Sequence, residues 1–123
     1  MSSLTRPLAG PSLTYDLAAN IDELRTAETY ARSGRGGRTL VKAGPLRVTL
    51  VVIREGVDIG THHAATPMTL HAIEGRIRYR VGDELSELGR GEVLFFGPGH
   101  AQDILALEDT ALLLTITQEE SGE

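Results

Sequence analysis

The chain has 123 residues, 41% of them hydrophobic, which suits a single globular domain with a core of its own. Its net charge of −5 disfavours nucleic acid as a partner, and no stretch reaches the ~18 apolar residues of a membrane span, so a cytoplasmic protein away from membranes is expected. There is no cysteine, which excludes disulfides, thiolate metal sites and cysteine nucleophiles.

Residues 1–13 carry Pro7 and Pro11 among small and polar residues and read as an N-terminal arm. Residues 14–123 are taken as the one domain. Asn20 followed three residues later by Glu23 fits a capping box, and Leu17, Ile21 and Leu24 recur with helical spacing. A short helix from Asn20 to Thr26 is expected, its extension to Ser33 is left open, and Gly34 is a stop. The glycine-rich "RSGRGGR" that follows reads as a loop, with a phosphate cradle as the alternative.

From Arg38 the period changes to that of strands. "RTLVK" and "LRVTLVVIREG" flank the turn "AGP", and "VDIG" is a further short strand. "MTLHAI" and "RIRYRVG" flank "EG", which reads as a hairpin. "GDE" and "GRGE" break the chain, "EVLFF" is a strand, and "GPG" is a turn. "DILALED" and "TALLLTIT" are the last two strands, and "QEESGE" is an acidic tail. Some eight short strands over about residues 38–117, with glycine-rich turns, predict an all-β sandwich or barrel. In "RIRYR", alternation puts Arg76, Arg78 and Arg80 on a water-facing side and Ile77, Tyr79 and Val81 on the other.

Three of the four histidines fall in "GTHHAATPMTLHAIEG", residues 60–75. Strand parity from Met68 turns Met68, Leu70 and Ala72 inward. Thr69, His71 and Ile73 then face outward, towards solvent or a second subunit. No P-loop, dinucleotide fingerprint or G-x-S-x-G elbow is present.

The stretch "IEGRIRYRVGDELSELGRGEVLFFGPGHAQDILALED" resembles the second half of a cupin domain, with Gly75, Gly82, Gly91 and Gly99 at the family's turn spacing. The resemblance implies a small jelly-roll barrel, here with a short N-terminal helix and arm, and a pocket inside it. Metal-binding cupins pair H-x-H, a later Glu and a final His. Carried over from Gly75, those positions fall on His62, Ala64 and Met68; carried over from Gly91, the final one falls on Gln102. With His63 and His100 as near neighbours, the pocket implied is His62, His63, Met68, His100 and Gln102. His62, His63 and Gln102 are the metal ligands if one divalent transition metal is bound, and the alternative is no cofactor at all. No catalytic residue is assigned.

The expected function is binding of a small organic molecule in the pocket. The alternatives are a metal-dependent oxygenase or isomerase using His62 and His63, with His100 as its acid or base, and a non-catalytic homodimer built on outward sheet faces.

Overall fold

The computed structural model describes residues 7–64, 66–97 and 99–117, with side chains described for these positions other than 61–64, 96 and 99–102. Two short helices, α1 (Leu17–Thr26) and α2 (Glu28–Ser33), precede nine strands. These are β1 (Arg35–Ala43), β2 (Leu46–Ile53), β3 (Asp58–Ala64), β4 (Met68–Glu74), β5 (Arg76–Val81), β6 (Glu84–Gly89), β7 (Val93–Phe96), β8 (Gly99–Ala106) and β9 (Thr110–Thr117). They form a five-stranded sheet in the order β1-β2-β9-β4-β7 and a four-stranded sheet in the order β3-β8-β5-β6. All paired neighbours are antiparallel. The all-β class is as expected, but the two sheets face each other as an open sandwich and do not close into a barrel.

The core lies between the sheets. Ile53, Met68, Leu70, Ala72, Leu112 and Leu114 from the larger sheet meet Ile77, Leu88, Ile104 and Ala106 from the smaller. Met68, Leu70 and Ala72 are all buried, as period-2 parity requires. A second cluster covers the outer face of the larger sheet: Ile21, Leu24 and Tyr30 of the helices pack on Leu40, Leu50, Val52 and Ala111. β2 is therefore buried on both faces, which is why "LVVI" is continuously apolar instead of alternating. The same cover reaches Ile73, so the outward side of β4 is not wholly left to solvent or a partner; its C-terminal part belongs to the chain's own helices.

Several local expectations change. The helix starts at Leu17, because Asp16 is the N-cap: its Oδ1 accepts from the Ala19 amide at 3.0 Å. The expected Asn20–Glu23 box does not form. The Asn20 amide donates to the Asp16 carbonyl, while Arg38 Nη1 bridges Asn20 Oδ1 and Glu23 Oε1, each at 2.7 Å. Ala27, with ψ of 150°, splits α1 from α2, and Gly34 ends α2 at φ +79°. "RSGRGGR" is not a loop, since β1 begins at Arg35 immediately after that cap. β6 is a strand the sequence reading lacks.

Gly75 does not turn a hairpin. β4 belongs to the larger sheet and β5 to the smaller, so the chain crosses between sheets there. It does so at φ +83°, against the buried Thr110, whose hydroxyl accepts from the Arg76 amide at 3.1 Å and donates to the Glu108 carbonyl at 2.8 Å. Arg25 ties α1 to the end of β4 through Glu74 at 2.8 Å. Burial of Arg25 opposes its charge, but the Glu74 carboxylate outweighs that and holds its pKa above the ordinary guanidinium value.

Candidate functional site

The topology gathers the expected pocket positions at one end of the sandwich. β3 ends and β8 begins there, with His63 opposite His100, His62 opposite Ala101 and Ala64 opposite Gly99. Met68 starts β4 at the same end, opposite Ile116 near the close of β9. Gln102 is in register with Arg80 of β5. The side chains of His62, His63, His100 and Gln102 lie outside the described residues, so what is established for them is the backbone register. "VDIG" extends further than expected: β3 runs through both histidines, where the sequence reading placed a loop.

Both strands that carry the histidines are irregular beside them. β3 shifts register on either side of Gly60, which sits at φ +74°. β8 shifts against β3 over the same span, and against β5 between Arg78 and Arg80. Within β8, Asp103 adopts φ +57° and is the one non-glycine residue with positive φ among the described residues. Such a conformation is unfavourable for an ordinary side chain and persists where the surroundings hold it; such strain and β-bulges concentrate at functional sites. The Asp103 side chain is met by Arg80, whose Nε donates to Asp103 Oδ2 at 2.8 Å. The alternation read from the sequence holds at Ile77, which is buried, and Arg78, which is exposed; Arg76 and Arg80 are half-buried and pair with Glu87 and Asp103, and Val81, expected on the inner side, is exposed.

The position where the family's acid would stand brings no metal ligand. Met68 occupies the acid position, is 2% exposed, and packs among Leu70 and other aliphatic side chains. It brings no negative charge to offset a divalent ion and its thioether is a soft, weak donor. Among the described residues no three His, Asp or Glu side chains lie together in a metal-holding group.

Next to this end, the sandwich interior contains a cavity of about 90 Å³ lined by Val51, Ile59, Leu70, Ile104, Leu112 and Leu114. At ~24 cal/mol per Å³ a void of this size costs the fold about 2 kcal/mol. The sequence reading did not pick out this lining. Its only signal was the inward parity of five separate strands, which becomes a cavity only when the strands are assembled. A larger cleft of about 670 Å³ lies at the opposite end, around Gly75, Arg90, Glu108 and Asp109. Its charged groups largely serve the fold: Glu74 pairs with Arg25, Arg76 with Glu87, and Asp109 Oδ1 accepts from the Glu55 amide at 2.8 Å.

No family model matches the chain, and no curated protein matches it in sequence. Solved structures do resemble it. A cupin-2 domain protein from Shewanella frigidimarina aligns with a TM-score of 0.67 at 14% identity, covering 85% of this chain and 94% of that one. A cupin superfamily protein from Desulfitobacterium hafniense gives 0.63 at 14% identity over 69% and 78%. Salicylate 1,2-dioxygenase from Pseudoaminobacter salicylatoxidans, a variant form, gives 0.76 at 15% identity, covering 94% of this chain but 37% of that longer enzyme. At these identities the likeness is one of fold.

Proposed function

Taking the chain as a small domain of the cupin fold, we propose that it binds a small organic molecule at the end of the sandwich where His62, His63 and His100 stand in register. The observation that carries this is the irregularity there: register shifts in both β3 and β8, with Asp103 at positive φ between them. The polar end of such a ligand would lie at the strand ends that carry these histidines and Gln102, and its remainder would enter between the sheets. Met68 in the acid position favours this reading over a metal-dependent oxygenase or isomerase.

Thermal-shift screening with organic acids, sugars and phenols identifies the ligand, and calorimetry then compares the protein with the His62→Ala, His63→Ala and His100→Ala variants. Loss of one good polar contact of ~1.4 kcal/mol weakens binding about tenfold. At least one of the three substitutions is expected to do so. Unchanged affinity in all three would sink the proposal. One equivalent of metal in tag-free protein, lost in the His62→Ala/His63→Ala double variant, would favour the enzyme alternative instead.

A second reading, a homodimer, has one support. β7 is an edge strand whose Val93 and Phe95 are 58% and 65% exposed. They stand opposite His71 and Thr69 of β4, on the part of the outer face beyond the helices. Exposed apolar edges invite pairing. Light scattering is expected to give twice the chain mass for the native protein and the single mass for Phe95→Glu; a native monomer rejects this reading.

A further inference from the structure

We infer that the buried end of the ligand is a compact branched aliphatic group, and that sugars and other polyols are excluded from the interior. The inference deepens the binding reading above and rests on it. The cavity between the sheets is lined by six aliphatic side chains from five strands: Val51 of β2, Ile59 of β3, Leu70 of β4, Ile104 of β8, and Leu112 and Leu114 of β9. It sits directly below the proposed mouth. Leu70 is two residues along β4 from Met68 on the same inner face, Ile104 is two residues along β8 from Gln102, and Ile59 is three along β3 from His62. At ~3.3 Å per strand residue, that is a depth of roughly 7–10 Å.

Wall chemistry decides what can enter. A hydroxyl or carboxylate placed among these six side chains gives up its water and finds no partner, which is strongly unfavourable. An apolar group gives up nothing and gains dispersion contacts that the void lacks. Size decides the rest. An apolar cavity of ~150 Å³ takes benzene, and this one is about 90 Å³, so it suits a smaller body. An isopropyl or isobutyl group fits that description. Such a ligand has its polar end at the histidines and its branch below.

Methyl and amide NMR of the full chain tests this, with xenon, isobutanol and glucose as probes. Xenon and isobutanol are expected to move the methyl signals of Leu70, Ile104 and Leu112, and isobutanol also the amides of His62, His63 or His100. Glucose should leave the methyls unmoved. Val51→Ile, which adds one carbon to the wall, should weaken the isobutanol response at least tenfold while the protein stays folded. Leu112→Ala should admit benzene, which the native cavity refuses. If glucose shifts the histidine amides while neither xenon nor isobutanol moves the cavity methyls, the aliphatic inference falls and the binding reading stands. Methyl shifts without any response at the histidine amides, from these probes or from the screened compounds, would leave a guest cavity and overturn the binding reading with the inference built on it. Silence from every probe overturns both.

Discussion

Gly75→Ala is expected to destabilise the fold by about 3 kcal/mol or more, a large part of the ~5–15 kcal/mol available to a domain. Two costs add. A left-handed backbone is unfavourable by about 1–2 kcal/mol for a residue with a side chain, and Gly75 stands at φ +83°. The new Cβ would also press on the Asp109 carbonyl and lie 2.5 Å from Thr110 Oγ1 and 2.7 Å from Thr110 Cα. These are backbone atoms and a buried, hydrogen-bonded hydroxyl, not the free end of a side chain, so the crossing cannot yield locally. Gly82 is the control. It has φ +61° with open space around its would-be Cβ, so Gly82→Ala carries the conformational cost alone, about 1 kcal/mol. Urea unfolding of both variants measures the difference. Equal losses at the two positions would show that the crossover between sheets relaxes.

Met68→Glu puts a carboxyl back at the position where the family's acid would stand, and it is expected to cost several kcal/mol in metal-free buffer. The site is 2% exposed among aliphatic side chains, and a carboxylate there loses water without gaining a partner. The sign of the pH dependence follows. Burial raises the folded-state pKa of the new group above its unfolded value of ~4.3. The ionisation penalty is therefore absent below that value and grows as pH rises towards the folded pKa. Denaturation followed from pH 4 to pH 8 should show the gap to the native protein widening. Zn²⁺ or Mn²⁺ gives the opposing outcome. If either ion restores the melting temperature of Met68→Glu but does nothing for the native protein, the histidine end is a metal site that lacks only its acid. If neither does, the end is organised for something else.

What the sequence disclosed was set by which signals are local. β2, β4, β5 and β9 could be read because apolar residues recur at period 2 or run without interruption, and the inward parity of Met68 followed from the same rule. β6 was missed because "ELSELG" carries Glu84 and Glu87 and buries only its end, at Leu88 and Gly89. The helix start slipped by three residues because Asp16 and Asn20 are both good caps; Asp16 takes the role, and Asn20 and Glu23 are engaged by Arg38 instead. Gly75 looked like a hairpin because a tight turn and a sheet-to-sheet crossing ask for the same glycine; which sheet β5 joins depends on residues far along the chain.

The site was legible in its members more than in its shape. The spacing from Gly75 and Gly91 drew attention to the strand ends that the fold brings into register, His62 and His63 beside His100 and Ala101. The left-handed Asp103 had no sequence signal, since "HAQD" reads as plain strand. It stands where β8 loses register with both β3 and β5, and its side chain pairs with Arg80, which is 23 residues earlier.

The larger sheet also bears on how the chain reaches this state. Its central position is held by β9, the last strand, which pairs along its whole length with β2 and along most of it with β4. Until residues 110–117 arrive, this sheet is only two separate strand pairs, the β1–β2 hairpin and the β4–β7 pair, and two-strand units of that kind are marginal in water. Completing the sheet therefore means closing loops of several dozen residues at once, a high contact order that belongs to slow, all-or-none folding. The strand that ends the sandwich in sequence is its keystone in time.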